Sequence, residues 1–204
     1  MKFDKNQQQT ALALFFVALF SASLLALVNN ITKEPIAQAE RQALHQALAQ
    51  VLPQHHNDAL EDVFLLPLAD KSNQQVFPAK DKQGKTLAFA WQQIAPDGYS
   101  GTIKILMGVN IRGEVVAIRI TKHLETPGLG DAITKNQQWL NSFSHKTTSN
   151  TRWAVKKDGG DFDQFTGATI TPRAVVQAVH EGLLLFQQYQ QSMLKLSQKI
   201  KTTG

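Results

Sequence analysis

Cysteine is absent from the 204-residue chain. That removes disulfides, thiolate nucleophiles, iron–sulfur clusters and thiolate zinc sites together, and it leaves the compartment open. The usual nucleotide-binding glycine signatures are missing as well. No Gly-x-Gly-x-x-Gly follows a strand pattern, and no serine sits in a Gly-x-Ser-x-Gly elbow. Gln83-Gly84-Lys85-Thr86 resembles the end of a phosphate-binding loop, but Ala79 stands where the upstream glycine is required. Clustered basic charge is lacking too. The formal net charge of +5 comes from scattered Lys and Arg with no basic–aromatic stripe, which argues against nucleic acid as a partner. Lys195, Lys199 and Lys201 read as a solvated face near the end of the chain. His55 and His56 are adjacent and so lack the spacing of a helical metal pair, and "DGGDFD" lacks the spacing of a calcium loop. Asp158, Asp161 and Asp163 read as turn chemistry instead.

What the chain does have begins with residues 11–28, "ALALFFVALFSASLLALV", which carry no charge. At ~1.5 Å per residue such a helix nearly spans a hydrocarbon core of ~30 Å, and residues 29–32 complete it. A cleaved signal peptide would use Ser21-Ala22-Ser23 as its small-residue site, but "LLALV" carries the apolar run past that point, which favours a retained anchor. Lys2, Lys5 and the amino terminus oppose Lys33 and Arg41 across the segment, so the positive-inside bias is slight. With the short basic end inside, the remaining chain lies outside the cytoplasm.

Beyond the anchor, Ile36, Leu44, Leu48, Val51 and Leu52 recur at helical spacing, with Pro35 suited to a first turn and Pro53 to a stop. His45 falls on the polar side of that pattern. A strand-rich middle follows. Leu87, Phe89 and Trp91 alternate with smaller residues; Ile103, Ile105, Met107 and Val109 share one face, as do Val116, Ile118 and Ile120, and "NIRG" supplies a hairpin turn. The period of two predicts an antiparallel sheet with one buried face. A short helix is expected around residues 131–143, a strand in "TRWAVKK" and a turn in "KDGGD". A final helix is expected from Pro172, packing on the sheet through Val175, Val176, Val179, Leu183 and Phe186. Strands followed by a packing helix make an α+β domain. Trp91, Trp139 and Trp153 read as core rather than as an electron relay.

Two segments carry chemistry. In "HLETPGLGD", residues 123–131, Pro127, Gly128 and Gly130 are what a sharp surface loop requires, and the glycines also let a flat ring or a phosphate approach the backbone. Glu125 and Thr126 offer an acceptor and a hydroxyl to a ligand's polar edge. In "DFDQFTGATITPRAVV", residues 161–176, turn chemistry makes Gly167 the turn residue, Thr171 the N-cap and Pro172 the first helical residue, and leaves Thr169 without a task. A helix N-terminus attracts phosphate, and Arg173, Lys156 and Lys157 could add positive charge. The local physics permits an anionic group there, whether free, transient or covalent. A free-standing enzyme with Thr169 as nucleophile lacks a base at recognisable spacing.

Together, "ETPGLG" and "WAVKKDGGDFDQFTGATITPRAVV", with "APDGYSG" at residues 95–101 and the single anchor, resemble the G subunit family of the Rnf (Rsx) electron-transport complex over most of the chain. That family's flavin-attachment motif, Asp-x-x-Ser/Thr-Gly-Ala-Thr, is matched by Asp163, Thr166, Gly167, Ala168 and Thr169 without departure. The resemblance implies FMN joined to Thr169 through a phosphoester, installed from FAD by a separate flavin transferase outside the bacterial cytoplasm. It implies an inner-membrane electron-carrying subunit with its flavin domain on the periplasmic side, working with the other membrane subunits of such a complex. Thr166 and Thr171 are then expected to shape and cap the turn, and Glu125, Thr126, Gly128 and Leu129 to contact the flavin or its ribityl chain. His123 is a weaker candidate. The implied division is tail and anchor at 1–32, a helical and connecting region at 33–80, an FMN-binding domain at 81–190 and a tail at 191–204. The related C subunit of the sodium-translocating NADH:quinone reductase shares the motif, but its chains are generally longer between anchor and motif. A non-redox membrane-anchored binding module, with both loops merely turns, is the reading from a different class.

Overall fold

The computed structural model describes residues 5–200, with side chains from residue 8 onward. Lys2, the side chain of Lys5 and Lys201, all used above in charge arguments, lie outside what is described. Helix α1 runs Lys5–Val51 without interruption. The sequence predicts two segments meeting at Pro35, yet Pro35 lies inside one helix. A proline removes a single donor, and the Ala-, Gln- and Leu-rich residues beyond it are strong helix formers that carry the turn onward. The apolar part of α1 is long enough to cross a membrane and has a mean hydropathy of 2.6 in its most apolar window, none of it buried.

A second compact unit spans residues 45–204. Its sheet runs β1 Phe64–Pro67, β2 Asn73–Lys80, β3 Thr86–Ala95, β4 Ile103–Asn110 and β5 Val115–Lys122, each strand antiparallel to its neighbour in chain order. The first two strands fall in the stretch read as helical and connecting. "FLLP" is too short to show alternation, and β2 starts polar and contains Pro78, which argues against a central strand from sequence alone. The last turn of α1, with Leu48 and Val51 buried, lies against β4, where the Val51 carbonyl crosses over Gly108. That contact, with Ala88, Ala90 and Leu106 also buried, corrects the expectation of one buried face: the central strands are covered on both.

Phe89, Trp91, Ile103, Ile105, Met107 and Val109 join the main core as their period of two requires. Strand β5 departs from its pattern. Val109 pairs with Val115 and Gly108 with Ala117, so Val116 is the extra residue of a bulge. The bulge turns Val115, not Val116, into the core alongside Ile118.

Helix α2 is Ala132–Lys135 and α3 is Gln137–Asn141, where the sequence predicts one helix. Asn136 breaks them apart: its backbone is extended and its side chain caps α3 by accepting from the Trp139 amide at 3.0 Å. "TRWAVKK" forms only a bridge between Val155 and Phe162, then a 3-10 turn at Lys156–Asp158 closed by Gly159. Helix α4, Ile170–Lys199, packs Val175, Val176, Val179, Leu183 and Phe186 into the core, with Phe186 stacked on Trp91. At its far end the buried Lys80 sits 3.0 Å from buried Asp62 and donates to the Ile200 carbonyl at 3.2 Å, tying the helix terminus to β2.

An aromatic cluster supports the loop that precedes α4. Trp139 packs edge-on against Phe143 at 5.0 Å and against Phe165 at 5.2 Å, and its indole N–H donates to the Asp163 carbonyl at 2.8 Å. Trp91 and Trp139 are buried and Trp153 packs partly buried against the same core. Denaturant unfolding of the detergent-solubilised chain should show Trp139→Phe losing about 1 kcal/mol, the worth of one hydrogen bond. Trp139→Ala should lose about 3–5 kcal/mol, the cost of an aromatic cavity.

Candidate functional site

Three separated segments converge on one pocket. Tyr99 comes from the turn before β4, Glu125, Thr126, Leu129 and Gly130 from the loop after β5, and residues 167–171 from the entrance to α4; together they line a cavity of about 450 Å³. That volume falls within the ~300–1,000 Å³ of small-molecule clefts. Tyr99, Leu129 and Ile170 give it exposed apolar walls.

The loop before α4 is a tight turn. The Ala168 amide donates to the Phe165 carbonyl at 3.1 Å, and Gly167 takes φ 77°, in the left-handed region where a side chain is strained. The helix then starts two residues earlier than the sequence predicts. Thr169, not Thr171, occupies the N-cap position, and its hydroxyl makes no capping hydrogen bond. Pro172 is tolerated in the first turn because those amides have no earlier helical carbonyl to meet. Thr169 therefore lines the pocket at the positive end of a 30-residue helix.

Thr171, read above as the cap, is fully buried and donates its hydroxyl to Glu125 Oε2 at 2.6 Å. Glu125 is itself buried, and its Oε1 accepts from the Ser100 amide at 3.0 Å. Both carboxylate oxygens of the residue read as a ligand acceptor are thus held by protein donors. The Glu125 amide points to His123 Nδ1 at 3.2 Å. Thr166 and Gly128 are exposed and lie outside the pocket lining. Gly128 shapes the loop, its amide donating to Asp131 Oδ1 at 2.7 Å, while Lys135 pairs with Asp131 Oδ2.

The cations expected beside Thr169 have other partners. Arg173 makes two hydrogen bonds to Asp158, at 2.7 and 3.0 Å, and Lys156 pairs with Asp163 at 2.7 Å. Lys157 is exposed, with its amide on Gln164. Asp158 and Asp163 thus tie down Arg173 and Lys156, and the helix end adds its own positive potential at Thr169. Asp158 lies below the ordinary carboxylate range, first because Arg173 hydrogen-bonds it; desolvation opposes that in part, and the charges of Arg173 and Lys157 add smaller help.

Residues 98–184 match the FMN-binding domain family, and residues 1–51 match the RnfG N-terminal region. The chain is 48% identical to the G subunit of the ion-translocating oxidoreductase complex of Salmonella typhimurium, over 86% of this chain and 88% of that protein. It is 42% identical to the protein of the same name from Vibrio atlanticus, over 92% and 93%. The chain belongs to the G subunit family of ion-translocating oxidoreductase complexes. The crystal structure of Shewanella oneidensis NqrC shares the fold, with a TM-score of 0.50 over 73% of each chain at 21% identity. Identity to G subunit proteins over nearly the whole chain sets the C-subunit reading aside. The fold is the α+β arrangement anticipated from the strand and helix periods.

All of the pocket residues fall within the stretch that matches the FMN-binding domain. Their chemistry fits a flavin nucleotide: apolar walls for a flat ring, and a hydroxyl at a helix N-terminus for a phosphate. Tyr99 and Ile170 were missed as lining residues from sequence, although Tyr99 stands in "APDGYSG". The depressed Asp158 contributes stability that is complete above its unfolded pKa, at about pH 4, and is lost as pH falls through the lower folded value. Thermal midpoints followed from about pH 5 down to about pH 3 should therefore fall less steeply for Asp158→Asn than for the native chain.

Proposed function

We propose that this chain is the flavin-carrying G subunit of a membrane-bound ion-translocating oxidoreductase complex, with FMN esterified to Thr169. The observation that carries this reading is the placement of Thr169, which lines a partly apolar pocket at the mouth of a long helix and whose hydroxyl makes no capping bond. Membership of the G subunit family and the match to an FMN-binding domain support the cofactor and the other membrane subunits as partners. The unburied apolar stretch of α1 supports a single-pass anchor. A basic short end on the cytoplasmic side puts the flavin domain in the periplasm, where a flavin transferase with FAD would act.

In the attachment step Thr169 Oγ1 attacks the FMN-side phosphorus of FAD. A new O–P bond forms, the pyrophosphate bond breaks, and AMP leaves as the hydroxyl proton is released. The amides of Ile170 and Thr171 at the α4 N-terminus would hold the phosphate, Pro172 having no N–H, and the exposed turn at Thr166–Gly167 would leave room for the transferase to approach. Glu125, Thr126, Gly128 and Leu129 shape the loop that faces the ring and ribityl chain. Bound flavin supplies one- and two-electron transfer, so the protein needs no acid–base dyad of its own. A tether prevents loss by dissociation where no cytosolic flavin pool can replenish it.

Co-expression with a flavin transferase should give a fluorescent band after denaturing electrophoresis, and Thr169→Ala should abolish it. The tryptic peptide containing Thr169 should carry the mass of one FMN less one water. Persistent fluorescence in the alanine variant places the ester elsewhere. A native chain that is never labelled defeats the electron-carrier reading.

A further inference from the structure

We infer that Glu125 is a positioning residue, a buried carboxylate clamp that holds the tethering threonine and the facing wall of the pocket in one fixed arrangement. The inference rests on the attachment at Thr169 for its functional meaning, but the clamp itself is a property of the protein alone. Glu125 is 4% exposed and Thr171 is fully buried. The two side chains meet at 2.6 Å although they lie 46 residues apart. The second oxygen, Oε1, accepts from the Ser100 amide at 3.0 Å. One carboxylate therefore joins three segments: the turn bearing Tyr99, the loop bearing Leu129 and Gly130, and the first turn of α4.

The surroundings are built around this group. A side chain at Gly130 would place its Cβ 2.5 Å from Glu125 Oε2 and 3.0 Å from Thr171 Oγ1, and one at Gly98 would come 2.9 Å from Oε1. At Gly130 the carboxylate and Thr171 fill the space a Cβ would take, whereas at Gly98 the Gly101 carbonyl, 2.3 Å away, crowds it first and Oε1 second. Thr171 is two residues from Thr169 on the same helical turn, so fixing its hydroxyl fixes the approach of the acceptor oxygen. Ser100 follows Tyr99 directly, so the same carboxylate sets the opposing apolar wall. The Thr171 bond is buried and the Ser100 bond partly so, and a lower local dielectric makes the buried one stronger than an exposed equivalent. A hydroxyl read from sequence as a helix cap acts here as a tie between distant segments.

The test uses the full-length chain in detergent, with three variants and two readouts. One readout is amide hydrogen exchange at Ser100 in the flavin-free protein; the other is the rate of fluorescent labelling by the transferase with FAD. Thr171→Val keeps the shape and removes the hydroxyl, and should raise exchange at Ser100 and slow labelling, each about tenfold. Glu125→Gln should do the same, and the double variant should be no worse than either single one. Thr171→Ser keeps the hydroxyl and should stay within about twofold of native on both measures. Unchanged exchange at Ser100 in a folded Thr171→Val chain overturns the clamp. So does a Thr171→Ser chain as impaired as Thr171→Val, because volume and not the hydroxyl would then matter. Loss of the cooperative unfolding transition in both Thr171→Val and Glu125→Gln also overturns it, since the bonds would then hold the whole fold. If native protein takes no flavin while exchange at Ser100 still responds to Thr171→Val, the attachment reading fails and the clamp stands.

Discussion

Val175, Val179, Leu183 and Phe186 of α4 close over Phe89, Trp91, Ile105 and Met107 of the sheet, and the position of everything at the mouth of α4 follows from that contact. Each such side chain contributes about 1.5–3 kcal/mol when fully buried, so this one interface outweighs any single polar contact at the site. Phe186 stacks on Trp91 and tilts against Phe89, which fixes the helix both along and across β3. The far end is held separately, where Lys80 reaches the Ile200 carbonyl. With the axis of α4 set by packing, its N-terminus projects beyond the sheet into the space between the β3–β4 turn and the loop after β5.

Charge around the motif is arranged to stiffen the loop rather than to wait for an anion. Arg152 binds Asp161, Lys156 binds Asp163 and Arg173 binds Asp158, so positive and negative side chains alternate in closed pairs on the surface. Pairs this exposed add little to global stability. Their effect is local: they limit the conformations of the glycine-containing segment that leads into α4. Beneath them, Trp139 holds the Asp163 carbonyl and packs on Phe165, so the same segment is gripped from the core side.

Much of this was legible from residues alone. The strands β3 to β5 show their period of two, α4 shows its helical period, and the apolar run of α1 is unmistakable. Features set by distant partners were not legible. β2 reads poorly because Pro78 and its polar first half hide a strand that lies between two others, and Val115 rather than Val116 faces inward because a bulge displaces the register. Thr171 reads as a cap because Ser and Thr before a Pro usually are, while its true partner lies in another loop. Glu125 reads as an acceptor for a ligand's polar edge, and only the fold reveals that Thr171 and the Ser100 amide take its two oxygens. The threonine-rich motif was recognisable by its resemblance to a known family, but the walls that Tyr99 and Ile170 supply were not.

The sheet has one further property. Every strand pairs with its neighbour in the chain, so it can zip together as successive hairpins with short loops to close. The links that complete the pocket and seat the last helix are of another kind, joining residues 46 and 120 positions apart. They can form only once the C-terminal helix has been made and has docked. The pocket that Thr169 lines is thus finished last, after the sheet has formed and the final helix has docked on it.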